Sequence, residues 1–110
     1  MDLNIRRQSG ILLHPTALPG PYGIGEIGPS AYRFIDNLSQ MGQSIWQILP
    51  LGPTDYWHSP YSSLSTFAGN HLLISLDSLA ADGLIDPKYL VRNKEFNPSE
   101  IVFDDVVRFK

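Results

Sequence analysis

The residues best suited to bind a ligand lie in one stretch, residues 49–70, which reads LPLGPTDYWHSPYSSLSTFAGN. It contains three prolines, four aromatic residues and four serines, but a single charged residue, Asp55. Disordered linkers are charged and poor in aromatic residues, so this composition argues against a tether. Loops longer than about 12 to 15 residues inside a compact domain are usually binding loops or lids. We therefore predict an ordered loop at residues 50–70 that contacts a ligand.

The aromatic residues of this loop indicate the kind of ligand. Tyrosine and tryptophan present a flat apolar face with a polar edge, which suits a pyranose ring, because that ring has apolar C–H faces and a rim of hydroxyls. Tyr56, Trp57 and Tyr61 are the candidates for stacking on a sugar. Trp46 and Phe67 are predicted to be core residues instead. For Trp57, stacking on a sugar and packing in the core are both left as alternatives.

The other motifs in the chain have ordinary structural explanations. Residues 23–28, GIGEIG, match the dinucleotide-binding pattern GxGxxG, but eight residues separate them from the preceding strand and no acidic residue closes the next strand. His14, His58 and His71 lack metal-ligand spacing and there is no cysteine, so no metal site is expected. His14, at a strand end, is interpreted instead as a residue hydrogen bonded inside a pocket. Ser59 lacks the GxSxG turn that would make it a nucleophile.

Charge and hydropathy limit the class of partner. The formal net charge is −3, and the eight lysine and arginine residues form no cluster, so a nucleic acid partner is not expected. No apolar run is long enough for a signal peptide or a membrane span. We therefore expect a cytoplasmic protein that binds neither nucleic acid nor membrane.

Hydrophobic periodicity predicts the elements that position the loop. Residues 9–14 are predicted to form a strand buried on both faces, residues 29–41 a helix that begins at Pro29 and stops at Gly42, and residues 44–49 a second strand. Strand, helix and strand in this order are typical of a parallel crossover unit. A third strand is predicted at residues 72–75, a short helix at residues 76–83, and a last helix after a cap at Asp104 or Asp105.

These elements form only part of an α/β fold. A parallel sheet needs helices on both faces, and two or three strands with one good helix do not supply them. Seven charged residues lie in residues 1–75 and twelve in residues 76–110, so the latter are predicted to be a peripheral helical region. We interpret residues 1–110 as the N-terminal segment of a larger α/β barrel or open-sheet protein, whose complete core needs roughly 250 residues.

Four blocks of sequence resemble a known family. SGILLHPTALPGPYGIGEIG, WQILPLGPT, SPYSSLSTFAGN and LLISLDSL resemble, in order and spacing, the N-terminal part of 4-alpha-glucanotransferases, also called amylomaltases or disproportionating enzymes. The resemblance covers residues 9–85, with a weaker match at FDDVVRFK near the end. Four blocks in register are far more specific than a single short motif.

The resemblance implies a (β/α)8 barrel that transfers a segment of an α-1,4-glucan, such as a maltooligosaccharide, to the 4-hydroxyl of an acceptor glucan or glucose. The reaction is a retaining transglycosylation that needs no metal and no cofactor. It uses two carboxyl groups about 5 to 5.5 Å apart. In the family these groups lie beyond the part that residues 1–110 resemble, so this segment alone is expected to be inactive.

The resemblance also assigns roles within the loop. Tyr61 corresponds to the family tyrosine that packs against the sugar at the cleavage site, Tyr56 to an aromatic residue further along the glucan, and Ser59 to the turn between them. Trp57 and His58 stand where many relatives have a glycine and a small polar residue, so the resemblance does not assign the contacts to the outer sugars of the glucan.

Two alternatives remain from the residues alone: a non-catalytic carbohydrate-binding module, which requires a closed fold, and a nucleotide-binding domain, which requires GIGEIG to open a helix directly from its strand.

Overall fold

The computed structural model describes residues 6–91 and 96–110. Within these ranges, two strands and three helices follow one another: β1 (Gly10–Leu12), α1 (Pro29–Gln40), β2 (Ile45–Gln47), α2 (Leu76–Ala81) and α3 (Phe103–Phe109). Short 3-10 turns occur at Pro15–Ala17, His71–Leu73 and Pro87–Leu90. In the described ranges, no helix has both the length and the apolar character that crossing a membrane requires.

The two strands pair in parallel, with α1 between them in the sequence. Gly10 lies opposite Ile45, and the absence of a side chain at Gly10 permits this approach, because a Cβ atom there would lie 2.4 Å from the Ile45 carbonyl oxygen. The Trp46 indole Nε1–H donates to the Leu13 carbonyl at 2.7 Å. The predicted strand, helix and strand are confirmed, although each strand is shorter than predicted.

Helix α1 forms for the reasons that its sequence predicts. Pro29 occupies its first turn, where no backbone N–H is needed, and Gly42 follows its end with a φ of 73°, a conformation that glycine adopts without strain. Ala31 and Leu38 are buried. Phe34 packs edge-on against Trp46, with ring centroids 4.8 Å apart, and so connects α1 to β2. Trp46 is accordingly half-buried.

The prediction that β1 is buried on both faces is wrong for the described chain. Its burial alternates, with Ile11 half-buried and both neighbours exposed. Ile45 on β2 is exposed as well. Two strands and one helix offer too little apolar surface to cover two sheet faces.

The predicted third strand is also wrong. The chain forms a 3-10 turn at His71–Leu73, and a single parallel bridge joins Ile27 to Ile74. The cause is local, because the Asn70 side chain accepts a hydrogen bond from the Leu72 backbone N–H at 3.0 Å and so bends the backbone at the start of the segment.

The two later helices are confirmed with one correction. Helix α2 begins after Ser75, whose hydroxyl oxygen accepts from the Ser78 N–H at 3.3 Å. Helix α3 begins after Val102, which makes no side-chain capping bond, so the predicted cap at Asp104 or Asp105 is wrong. Both carboxylates lie in the first turn, where their charge favours the N-terminal end of the helix dipole.

The best-buried part of the molecule is a small cluster around α3. Ile24, Leu72 and Val106 form its centre, and Val106 is fully buried. Phe96, Ile101 and Phe103 pack against these three residues. The cluster thus joins the segment before α1, the 3-10 turn that follows the long loop, and α3.

Candidate functional site

Backbone hydrogen bonds order the long loop. Thr54 and Ser63 form an antiparallel bridge, and the Asp55 N–H donates to the Ser62 carbonyl at 2.8 Å. These contacts bring together residues that are seven and nine positions apart and close the loop into a hairpin-like turn. A hydrogen-bonded turn is therefore present from Thr54 to Ser63, whereas ligand contact stays a prediction.

Two polar side chains shape the tip of this turn. The Asp55 carboxylate accepts from the Trp57 backbone N–H at 2.9 Å, and its carbonyl accepts from the His58 N–H at 3.1 Å. The Ser59 hydroxyl accepts from the Tyr61 N–H at 3.3 Å. The single charged residue of the stretch therefore stabilises the turn, and Ser59 sets the backbone that precedes the Tyr61 ring.

The three candidate stacking residues are exposed. The exposed fractions are 88% for Tyr56, 80% for Trp57 and 74% for Tyr61. Tyr56 and Trp57 pack edge to face, with ring centroids 6.0 Å apart and planes at 89°. Trp57 is thus a surface residue, and the loop presents rings in more than one orientation on an ordered backbone.

The prediction that Phe67 is a core residue is wrong, because its side chain is 99% exposed. It lies between the hairpin-like turn and Asn70, where the described chain places no apolar surface against it. Phenylalanine side chains are often buried, but burial requires a neighbouring segment that packs against the ring.

A ring contact joins the loop to α3. The His58 imidazole stacks on the Phe103 ring with centroids 4.2 Å apart and an angle of 6° between the planes. Phe103 also packs against the Val106 cluster. The sequence carries no signal for this pair, because the two residues are far apart in the chain and neither belongs to a recognisable motif.

His14 connects β1 to the start of the loop. Its Nδ1 lies 2.8 Å from the Thr16 hydroxyl and its Nε2 lies 3.2 Å from the Pro50 carbonyl. A carbonyl only accepts, so Nε2 carries the proton and Nδ1 accepts from Thr16. The expected hydrogen bonding of His14 is confirmed, whereas a pocket around it stays a prediction.

The GIGEIG segment packs against the chain rather than opening a helix from a strand. Residues 13–22 separate β1 from Gly23, and the Gly25 N–H donates to the Thr16 carbonyl at 2.9 Å. A Cβ atom on Gly25 would lie 1.9 Å from the Pro15 carbonyl oxygen, so close packing explains this glycine. The geometry required for a nucleotide-binding turn is not formed here.

Glu26, within the same segment, forms a buried ion pair. The Lys110 Nζ donates to its carboxylate at 2.6 Å and to the Leu72 and Ile74 carbonyls at 2.7 and 3.1 Å. The side chains of Lys110 and Glu26 are 1% and 5% exposed. Burial lowers the pKa of Lys110 below its usual 10.5, although the hydrogen bond and charge of Glu26 act to raise it.

The aromatic surface is a protruding turn and not a cavity. A cleft of about 590 Å³ lies between residues 16–24 and residues 96–101, and none of the loop aromatics lines it. Among residues 6–91 and 96–110, no three histidine, aspartate or glutamate side chains group closely enough to hold a metal ion.

Comparisons with known proteins agree with these features. Residues 13–110 match the model of the glycoside hydrolase 77 family, described as 4-alpha-glucanotransferase. A 4-alpha-glucanotransferase from Synechocystis sp. is 48% identical over 105 residues, covering 96% of this chain and 21% of that protein. One from Streptococcus pneumoniae is 56% identical over 81 residues, covering 74% of this chain and 16% of that protein.

A solved structure contains a segment with the same fold as this chain. The amylomaltase from Streptococcus agalactiae, solved in complex with acarbose, superposes with a TM-score of 0.83 at 37% identity, over 94% of this chain and 23% of that one. The chain therefore spans about a fifth of the length of the relatives it matches. Since the family model covers nearly all of the chain, this protein belongs to the 4-alpha-glucanotransferase family, glycoside hydrolase family 77.

Proposed function

We propose that residues 1–110 are the N-terminal segment of a 4-alpha-glucanotransferase, which transfers part of an α-1,4-glucan to the 4-hydroxyl of an acceptor glucan or glucose. The observation that carries the proposal is the ordered loop that exposes Tyr56, Trp57 and Tyr61 in a chain of this family. The acarbose held by the Streptococcus agalactiae amylomaltase supports a saccharide ligand.

The open surfaces of the crossover unit support a (β/α)8 barrel. Leu12 and Ile45 on the strands and Met41 at the end of α1 are exposed although each is strongly apolar. Further strands and helices of a barrel would cover these side chains and pair the open strand edges. The length of the relatives leaves room for that remainder.

Catalysis requires carboxyl groups from outside this segment. Retaining transfer uses one carboxylate as nucleophile and one carboxylic acid as acid and then base. Three of the described acidic residues already have structural partners: Glu26 pairs with Lys110, Asp55 accepts from the Trp57 N–H in the turn, and Asp77 accepts from the Tyr22 hydroxyl. The segment binds and orients substrate, and its partner carboxylates come from the remainder of the barrel.

Each loop residue has a distinct role in this proposal. The Tyr61 ring stacks on the sugar beside the scissile bond, and Tyr56 stacks on a sugar further along the glucan. Ser59 acts through Tyr61, because its hydroxyl accepts from the Tyr61 N–H. Ligand sites are usually concave, so the loop forms one wall and the remainder of the barrel the other.

Substitution of Tyr61 in the full-length gene product tests this assignment. If the aromatic face carries the effect, Tyr61→Ala lowers kcat/KM for maltooligosaccharides by about ten- to a hundredfold, whereas Tyr61→Phe is mild. Equal losses would instead assign the effect to the hydroxyl. Tyr89→Ala is the matched control, because Tyr89 is equally exposed and lies outside the loop. Full activity in folded Tyr61→Ala would refute the assignment.

Residues 1–110 expressed alone distinguish this function from a binding module. We expect no disproportionation of maltotriose, because the catalytic carboxylates are absent, and we expect aggregation through unpaired strand edges. A reversible, monomeric thermal transition together with glucan binding would favour a free-standing carbohydrate-binding module.

A further inference from the structure

We infer that His58 is a positioning residue, whose ring clamps the aromatic loop against α3 and so fixes the orientation in which Tyr56 and Tyr61 meet the glucan. This inference rests on the proposed function. It assigns a role to one of the two residues for which the sequence offered no clear purpose.

The backbone of His58 supports a specific role for its ring. His58 has a φ of 56°, in the left-handed region that side-chain-bearing residues adopt at a cost. Such a conformation persists where the surroundings determine it, and it is often found at ligand-binding sites. Glycine would satisfy the turn without strain, so the imidazole contributes something that the backbone alone does not require.

The stack itself supplies that contribution. Its rings are nearly parallel at a centroid distance of 4.2 Å, which is direct face contact. His58 is half-buried, whereas Tyr56 and Trp57 immediately before it are exposed. The loop therefore turns one ring towards the body of the molecule and leaves the others free for a ligand.

The partner ring belongs to a well-anchored element. Phe103 is the first residue of α3 and packs against Ile24, Leu72 and Val106. At the other end of α3, Lys110 is bound to Glu26 and to two carbonyls. A contact to Phe103 thus ties the loop to the best-buried part of the described chain.

The hydrogen bonds within the hairpin-like turn do not connect it to α3. The Thr54–Ser63 bridge and the bonds to Asp55 join loop residues to one another, so they fix the shape of the turn. The His58–Phe103 stack joins the turn to α3. A loop held in its binding orientation loses less freedom when the glucan binds, so the clamp favours substrate affinity more than the chemical step.

A double-mutant cycle in the full-length gene product tests the clamp. The variants are His58→Gly, Phe103→Leu and the two combined, and glycine keeps the turn conformation while removing the ring. We expect each single variant to raise KM for long maltooligosaccharides about two- to tenfold, the range that corresponds to loss of one aromatic pair, with kcat nearly unchanged. The double variant is expected to be no worse than the more affected single variant.

Two further measurements keep the outcome decisive. His58→Asn, which also tolerates the left-handed backbone, is expected to behave like His58→Gly. In isotope-labelled histidine spectra, the ring-current shift of His58 is expected to disappear in Phe103→Leu. Additive effects on KM, or unchanged KM with a lost ring-current shift, would overturn the positioning role. A wild-type protein without transferase activity but with the ring-current shift would refute the proposed function and leave the contact established.

Discussion

The crossover unit of β1, α1 and β2 and the cluster around α3 differ in how much of their apolar side-chain surface they bury. The crossover unit has the more regular secondary structure, yet it leaves much of its apolar surface open. The α3 cluster is built from loops, a 3-10 turn and a short helix, yet it encloses its centre. Regular elements alone therefore do not make a core, because a parallel sheet needs cover on two faces whereas a small cluster needs only mutual contact.

The exposed fractions of two leucines, one in each region, show this difference in burial. Leu12 on β1 is 58% exposed, whereas Leu72 beside α3 is 4% exposed. The residue type is the same, so only its surroundings differ. Polar groups are also buried beside the α3 cluster, since Lys110, which donates to the Leu72 carbonyl, pairs there with Glu26, whereas Asp86 and Lys88 pair at the surface.

The largest expected effect comes from breaking the buried ion pair. Glu26→Gln leaves the Lys110 ammonium buried with only neutral carbonyl partners, and removing one member of a buried pair costs about 3 to 5 kcal/mol of unfolding free energy. Urea unfolding measures the loss. Replacing both residues in Glu26→Gln/Lys110→Met is expected to cost less than the two single losses added together, and simple additivity would contradict a coupled pair.

The two leucines provide the next test. Leu72→Ala is expected to destabilise the described fold by about 2 to 5 kcal/mol, because it leaves a cavity beside Val106. Leu12→Ala is expected to cost less than about 1 kcal/mol if β1 stays as exposed as it is here, because its side chain already contacts water.

The same pair measured in the full-length gene product sharpens the comparison. If a complete barrel covers β1, Leu12→Ala becomes nearly as costly as Leu72→Ala. A loss below about 1 kcal/mol for Leu12→Ala in the full-length gene product would contradict the proposed barrel.

Alkaline pH tests the electrostatics of the cluster. Burial lowers the pKa of Lys110 below 10.5, so between that lowered value and 10.5 the unfolded chain binds more protons than the folded one. The free energy of unfolding is therefore expected to rise with pH across this interval through Lys110. Subtracting the profile of Lys110→Met isolates the contribution, and a difference that falls over this interval would show the opposite sign.

The smallest expected effect belongs to the surface pair. The Lys88 and Asp86 side chains are 65% and 51% exposed and lie 3.4 Å apart. Lys88→Met is expected to change the unfolding free energy by about 0 to 1 kcal/mol, because water screens the charges. This variant is the control for Lys110→Met, and equal losses in both would contradict the contrast between buried and exposed pairs.

The features that the sequence predicts correctly are those that residues adjacent in the chain determine. The apolar spacing with Pro29 and Gly42 is enough to define α1, and the aromatic and proline content of residues 50–70 is enough to indicate an ordered loop. Four blocks of residues are enough to indicate the family. Each depends on neighbours in the chain, so no tertiary contact is needed to recognise it.

Tertiary contacts decided the rest. Phe67 is exposed and Leu72 buried although both are apolar, because burial depends on which distant segment packs nearby. The Glu26–Lys110 pair and the His58–Phe103 stack join residues far apart in the chain, and no local rule pairs them. The sequence thus determined which residues can bury, stack or carry charge, and the packing of α3 determined which of them meet.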